Sequence, residues 1–421
     1  MKKMRKYLLL LLFACQSAAG LAQLTVEECH LMARDNYPLV RQYGLIGMSE
    51  GYDLKNASKS WVPQLSLSAK ATWQSDVTSL PIEIPGYDIP TLARDQYQVV
   101  AEVSQVIWDG GATKASKEGI RAQGDVDRAQ FEVDMYAIRE RVNNLFFGIL
   151  LLDEQIRLNA LYLQDLQVNC DRIAGYMANG VANQADLDAV RAEQITAGQN
   201  ATKMNASRSA YVRMLAAFTG RALDDGVQLV KPGILQPVTG SAANRPEMEL
   251  FDAMQRRIEM QRKTINASNT PQLGLFIQGG YGRPGLNMLQ NQFRTYAIGG
   301  VRLSWNIGSF YTRHSNLRKI VTGVGQVDVQ RETFLFNNGL QQTQLDAEYR
   351  KYTQIMEDDD EIIRMRGNIV RASQAKLENG TISSSDLMRD MIAEQNAKVG
   401  KALHEIELLQ TIYGIKNLTN N

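Results

Sequence analysis

The chain has 421 residues, with 46 lysines and arginines against 45 aspartates and glutamates, which gives a formal net charge of +1. A charge this close to zero gives no reason to expect nucleic acid as a partner. Three cysteines in a chain of this length argue against a framework of disulfide bonds.

The first 22 residues have the features of a secretory signal peptide. Residues 2–6 are rich in lysine and arginine, residues 8–14 are apolar, and Ala22 ends a small-x-small cleavage site. The alternative is a lipoprotein signal with acylation at Cys15, but Phe13 is bulky for that motif. Cleavage after Ala22 removes four basic residues and leaves 42 basic and 45 acidic ones, a net charge of −3. No later stretch has 18 consecutive apolar residues, so no transmembrane helix is expected.

Four segments alternate apolar and polar residues, as membrane-spanning β-strands do. They cover residues 63–75, 97–109, 271–281 and 294–307. In the fourth segment the outward set is expected to switch at Gly299 and Gly300, where a β-bulge would allow it. Aromatic residues near both ends of the segments fit the two girdles of a barrel wall. These are Trp73, Tyr97, Tyr281 and Tyr296 at the hairpin ends, and Trp108 and Trp305 at the other ends. A soluble β-sandwich is disfavoured because it usually has many evenly spaced strands.

A long helical pattern follows each pair of strands. Residues 111–178 and about 310–377 contain no proline, and the first has apolar residues at seven-residue spacing, which is typical of coiled coils. An Asn-Gly pair ends each long helix, because glycine adopts the left-handed conformation of a helix C-cap. A return helix follows each turn, which predicts helical hairpins over residues 111–220 and 309–413.

The sequence indicates two halves of similar structure. The motif Asn-x-Pro at 36–38 returns at 244–246, and Asn-Gly at 179–180 returns at 379–380, with offsets of 208 and 200 residues. The predicted boundaries are 23–220 for the first repeat, 221–243 for an inter-repeat belt and 244–421 for the second repeat. Two strands per repeat give four per chain, too few to close a barrel in a bilayer, so copies of the chain must assemble.

Three motifs resemble those of the TolC family of outer-membrane channel proteins. They are Ala-Ser-Lys-Ser-Trp-Val-Pro-Gln-Leu at 57–65, Val-Ser-Gln-Val-Ile-Trp-Asp-Gly-Gly at 103–111, and the Asn-Gly-x5-Asp-Leu turns that begin at 179 and 379. Together with the duplication, they extend the resemblance over the whole mature chain. The second half departs from the pattern, because residues 304–308 are Ser-Trp-Asn-Ile-Gly without Asp-Gly-Gly. The motif therefore does not define the strand-to-helix junction there.

The resemblance implies an α+β membrane protein that assembles as a homotrimer. Three chains of four strands would form a 12-stranded β-barrel in the lipid of the outer membrane, continued by a coiled-coil helical barrel in the periplasm. The implied role is a passive exit duct for small molecules in a tripartite efflux system. Its partners would be a periplasmic adaptor and an inner-membrane transporter of RND or ABC type. Alternatives are a duct for type I protein or polysaccharide export, and a periplasmic coiled-coil scaffold.

In the family, acidic residues near the second hairpin tip narrow the periplasmic entrance. Asp386 matches the first such position, whereas Arg389 stands where another acid would be expected and Asp390 follows it. These three residues are the predicted entrance ring, and a threefold set of Asp386 would attract cations. Asp386 is also suited to cap its helix, as Asp186 is in the first half. The acidic run at 357–361 fits a solvated helix face better than a band lining the lumen.

The two hairpin tips, at about 177–187 and 377–389, are the predicted docking surface for the adaptor. Glycine allows a partner backbone to approach closely, and small apolar side chains offer contacts. The residues expected to form this surface are Gly180, Val181, Asp186, Gly380 and Ile382.

No combination of residues indicates an enzyme. His30, His314 and His404 are scattered and have no metal-ligand spacing. No phosphate-binding glycine loop precedes a helix. The sequence therefore predicts no catalytic activity, no cofactor and no metal site.

Overall fold

The computed structural model describes residues 24–78, 91–180, 182–234, 236 and 244–420. The predicted signal peptide lies outside this part of the chain. The described helices are α1 (Val26–Asn36), α2 (Val40–Ser58), α3 (Ala112–Tyr136), α4 (Ile138–Ala178), α5 (Gln184–Thr219), α6 (Pro246–Ser268), α7 (Ser309–Glu378) and α8 (Ser384–Thr419). The strands are β1 (Gln64–Trp73), β2 (Asp95–Trp108), β3 (Gln272–Arg283) and β4 (Arg294–Ser304). Among these described helices, none is both long and apolar enough to cross a membrane.

The described residues form two compact units. The first comprises the described parts of Met1–Gln42, Phe131–Met248 and Glu332–Asn421. The second comprises the described parts of Tyr43–Gln130 and Glu249–Arg331. The second unit contains all four strands, and the first contains both hairpin tips.

The strands form one antiparallel sheet in the order β1-β2-β3-β4. Each strand pairs with its neighbour in sequence, from Gln64 opposite Ser104 in the first pair to Gly282 opposite Arg294 in the last. Because no other described strand flanks this sheet, β1 and β4 are open edges with backbone groups available for pairing.

The expected β-bulge at 299–300 is wrong. The pairing of β3 with β4 runs without a register shift, and the irregularity lies instead in β2, between Val106 and Trp108. The continuous register places Tyr296 on the same face as Gln98, whose side-chain amide donates a hydrogen bond to the tyrosine hydroxyl. Tyr296 is therefore not part of an outward girdle. The Gly-Gly pair has no side chains to continue the apolar alternation. In the sequence this interruption looks like a change of face.

The first unit is a helical assembly in which α4 packs against α5 and α8, and α1 packs on α4 and α5. Its core contains large side chains with almost no exposed surface, as expected for helices with broad apolar faces. These include Phe146, Phe147, Leu166, Leu215, Leu409 and Ile412. At the chain's amino-terminal side, Leu24 forms a parallel bridge with Leu229 in the segment predicted as a belt.

Two helix boundaries differ from the prediction. The helix predicted over 111–178 is divided at Ala137, although this residue keeps helical dihedrals (φ −61°, ψ −18°) and its N–H donates to the Val133 oxygen at 3.2 Å. Neither proline nor glycine stands there, so the sequence carries no signal for the division. The return helix predicted to end at residue 413 continues to Thr419, because Ile415 and Leu418 extend its buried face.

Candidate channel wall and hairpin tips

One face of the sheet is apolar and uncovered in the single chain. Cross-strand pairs such as Leu65 with Val103 and Leu275 with Val301 lie on this apolar face. Leu65 and Leu67 expose 76% and 75% of their surface. A soluble domain rarely leaves such a contiguous patch open, whereas a barrel wall in lipid requires one. The geometry of this face is therefore that of a membrane-facing wall.

The opposite face, here called the polar face, carries an ion pair. Arg302 donates to the Glu102 carboxylate at 3.0 Å, and Gln278 donates to the other carboxylate oxygen. The guanidinium of Arg302 also lies over the Phe276 ring, 4.5 Å from its centroid. This pair balances one positive charge against one negative charge on the polar face. Alternation alone did not single out the two residues, because they are about 200 positions apart in sequence.

The Asp-Gly-Gly motif at the end of β2 forms the junction to α3. Asp109 is buried, and its two carboxylate oxygens accept the N–H groups of Gly111 at 2.9 Å and Thr113 at 2.7 Å. It thereby satisfies donors that a helix start leaves unpaired. Gly110 has φ +64°, and a Cβ there would lie 1.7 Å from the Thr270 hydroxyl oxygen. Only glycine fits this position, which accounts for the motif physically.

The second junction uses different residues. After β4, the Trp305 indole N–H donates to the Asn269 carbonyl at 3.0 Å. The Ser309 hydroxyl donates to the Asn269 side-chain oxygen at 2.8 Å, and α7 begins at this serine. Both acceptors thus belong to Asn269, the residue that follows α6, and they receive side-chain donors, whereas Asp109 receives backbone N–H groups. This explains how the second half forms a junction without Asp-Gly-Gly.

Both hairpin tips have the same cap geometry. Gly180 and Gly380 have φ +76° and +66°, the left-handed conformation expected of helix C-caps. In the second tip the Thr381 N–H donates to Lys376 and the Gly380 N–H donates to Leu377, both at 2.9 Å, which is a Schellman motif. The turns at Asn-Gly predicted from sequence are confirmed in both places.

A capping box begins each return helix, as the sequence predicted. Asn183 and Ser383 are the N-caps, and each exchanges hydrogen bonds with the aspartate three residues later. The Asp386 N–H donates to the Ser383 oxygen at 3.2 Å, and the Ser383 hydroxyl donates to the Asp386 carboxylate at 2.7 Å. These hydrogen bonds from Ser383, with a smaller contribution from Arg389, lower the pKa of Asp386 below its ordinary value. The carboxylate is therefore ionised at neutral pH.

The predicted entrance residues do not act alike in the single chain. Arg389 approaches Asp386 at 3.4 Å on the same helix turn, so the expected negative charge has a local positive partner. Asp390 faces the neighbouring helix α7, where its carboxylate accepts the Ser373 hydroxyl at 2.6 Å. Ser373 was not predicted, since only the fold brings it to this site.

The predicted docking residues divide into two groups. Gly180 and Gly380 have no atom within 4 Å of an added Cβ, so their backbones are open to approach. Asp186 is engaged in its capping box, and Ile382 packs against the apolar core beneath the tips. That core includes Leu166, Ile173, Leu187, Leu377, Leu387, Met388 and Met391. Val181 lies outside the described residues.

Comparison with known proteins agrees with this geometry. The model of the family described as outer membrane efflux protein matches residues 32–221. No curated protein shows significant similarity to the chain.

Solved structures of outer-membrane proteins share the fold. The outer membrane protein VceC of Vibrio cholerae is 12% identical, with 94% of this chain and 96% of that chain covered and a TM-score of 0.65. The CmeC outer membrane channel of Campylobacter jejuni is 12% identical, covering 94% and 85%, with a TM-score of 0.66. The open-state MtrE outer membrane channel of Neisseria gonorrhoeae is 13% identical, covering 94% and 89%, with a TM-score of 0.65.

The fold agrees with the match of residues 32–221 to the outer membrane efflux protein family. The resemblance to the TolC family is therefore confirmed, and so is localisation in the outer membrane with the helical part in the periplasm.

Proposed function

We propose that the chain is the passive exit duct of a tripartite efflux system that carries small molecules out of the cell. It works as a homotrimer, with a 12-stranded barrel in the outer membrane and a helical barrel in the periplasm. A periplasmic adaptor docks on the hairpin tips and connects the duct to an inner-membrane transporter of RND or ABC type. The two halves, 23–220 and 244–421, are repeats joined by the belt at 221–243.

The open, one-sided sheet is the observation that carries this proposal. Four strands with two free edges leave backbone groups unpaired, which is not tolerated in lipid. Pairing β4 of one chain with β1 of the next removes both edges at once. The exposed apolar face supports the same arrangement, because closure turns it toward lipid and leaves the polar face around a water-filled lumen.

The helical part supports a tunnel. Helix α7 has 70 residues, about 100 Å at 1.5 Å per residue. Apolar side chains along it remain exposed in the single chain, which fits packing against neighbouring chains. They include Phe336, Leu340, Ile362, Met365 and Ile369.

The direct test is conductance of the purified oligomer in a planar lipid bilayer. We expect stepwise, long-lived channel openings, together with a heat-modifiable trimer in outer-membrane fractions. A protein that remains monomeric and soluble without detergent would refute the proposal.

Small-molecule efflux and protein or polysaccharide export are then separated by deleting the gene. Greater drug sensitivity with unchanged secretion supports efflux, and the reverse supports export.

Docking of the adaptor is tested at the two tip glycines. Gly180→Leu and Gly380→Leu place bulky side chains where the backbone is open, and each also strains a positive-φ position by about 1–2 kcal/mol. We expect loss of drug resistance with trimer assembly and conductance retained. Gly175→Leu is the matched control, since Gly175 has ordinary helical dihedrals and equally open surroundings. Normal resistance in both tip variants would contradict docking at these residues.

A further inference from the structure

A row of residues paired in register crosses all four strands on the polar face. Lys70 of β1 is opposite Gln98 of β2, Gln98 is opposite Gly282 of β3, and Gly282 is opposite Arg294 of β4. Lys70 and Arg294 are both exposed. This row, here called the basic row, lies near the hairpin ends of the strands, away from the helices.

The charges of the basic row are not balanced within the strands. The four strands contain two acidic residues, Asp95 and Glu102. Asp95 is ion-paired with Arg283, and Glu102 is ion-paired with Arg302. The side chains of Lys70 and Arg294 have no ion-pair or hydrogen-bond partner among the described residues.

The small residue at the centre of the row keeps it open. Gly282 has no side chain, and a Cβ there would lie 2.7 Å from the Tyr97 carbonyl oxygen, so a larger residue does not fit. The two cations are therefore separated by Gln98 and Gly282, and Gly282 contributes no side chain to cover them.

We infer that the basic row is an anion-selective ring at the outer end of the channel, which favours solutes that carry carboxylate, sulfonate or phosphate groups. The inference rests on the proposed trimer, in which the polar face lines the lumen. Three chains then contribute six positive charges, without an acidic partner in the described strands, to a band of the barrel wall near its outer end. Rings of lysine and arginine set anion selectivity in pores because they raise the local anion concentration.

At the tips, the negative charge of Asp386 is partly balanced within the same helix turn. Each Asp386 carries its own positive neighbour, Arg389, at 3.4 Å. Within the described strands and tips, the basic row is thus where basic side chains lie without an acidic partner.

The test measures the reversal potential of the purified oligomer in a bilayer under a potassium chloride gradient. We expect the chloride-to-potassium permeability ratio of Lys70→Gln/Arg294→Gln to fall at least about twofold below that of the natural protein. Lys70→Arg/Arg294→Lys keeps both charges and is expected to retain the natural ratio. Equal ratios in all three proteins would overturn the inference.

A second measurement uses the natural protein alone, in case the double variant does not assemble. Inorganic tripolyphosphate added to the extracellular side should reduce single-channel conductance at low salt, and the block should weaken as salt screens the ring. Conductance unaffected by tripolyphosphate would count against the ring. Failure of the proposed function looks different, because the natural protein would then form no channels at all.

Discussion

At the scale of single residues, the strand-to-helix junction depends on two positions, Asp109 and Gly110. Asp109 places a buried carboxylate at the start of α3, and Gly110 lets the backbone pass close to Thr270. Both residues belong to the motif that pointed to the family, so their physical role and the sequence signal coincide.

Removing the Asp109 carboxylate is expected to destabilise the protein. Asp109→Ala leaves the N–H groups of Gly111 and Thr113 without their acceptors, which typically costs about 1–2 kcal/mol at a helix start. The thermal midpoint of the detergent-solubilised protein should fall. Asp125→Ala on the same helix removes a half-exposed carboxylate paired with Arg128, and its effect should stay below about 1 kcal/mol. Equal effects of the two substitutions would contradict the capping role.

Adding one methyl group at Gly110 is expected to be worse. Gly110→Ala forces a Cβ toward the Thr270 hydroxyl at a positive φ, so a loss of at least about 2 kcal/mol is expected. Gly119→Ala is the matched substitution, since Gly119 lies within α3 with no atom near its added Cβ. There the helix should gain about 0.5–1 kcal/mol. Denaturation midpoints of the two variants should therefore move in opposite directions.

At the scale of elements, the two hairpin tips offer a comparison within one chain. Asp186 and Asp386 occupy the same position of equivalent capping boxes. Substituting either by asparagine should weaken a helix cap by a similar amount. If only one of the two variants changes conduction, the effect therefore comes from a role of that aspartate other than capping.

Asp386→Asn should raise single-channel conductance or relieve block by divalent cations, whereas Asp186→Asn should do neither. The entrance role predicts this difference, since only Asp386 lies at the predicted ring. Because Ser383 holds the pKa of Asp386 below its ordinary value, the cap's stabilisation is present at pH values above that ordinary pKa and is lost as the pH falls through the lowered pKa. Measurements at pH 6–8 thus keep the natural carboxylate ionised. Identical currents in both variants would leave Asp386 with the capping role alone.

The elements were partly predictable from the sequence, for physical reasons that differ between them. Alternation with a period of two located four segments that end within three residues of β1–β4, because one face of each strand must be apolar. The Asn-Gly turns were equally clear, since a positive φ requires glycine. The face of Tyr296 was misjudged, because the Gly-Gly pair beside it removes the alternation that defines a face.

Contacts between distant residues lay beyond sequence reasoning. The pair of Glu102 with Arg302 and the hydrogen bond from Ser373 to Asp390 depend on which strands and helices become neighbours. The end of α8 at Thr419 was also missed, because its last turn is stabilised by packing and not by its own composition.

At the scale of the whole molecule, the two faces of the sheet should respond differently to charge. Leu67→Asp puts a carboxylate on the apolar face, which we expect to reduce trimers in the outer membrane because a charge toward lipid is destabilising. Ser68→Asp is the matched control one residue away on the polar face, and it should assemble normally. Heat-modifiable trimers in outer-membrane fractions are the readout. Equal loss in both variants would contradict the assignment of the faces.

A newly secreted chain carries its unpaired strand edges before any partner is present. Such edges bind extended peptide indiscriminately, and an uncovered apolar sheet beside them favours aggregation. Correct closure of the barrel must therefore compete with aggregation, which becomes faster as the concentration of unassembled chains rises. Strong overproduction should overload this step and yield insoluble material in place of working pores, so modest expression with periplasmic chaperones is the better route to purified protein.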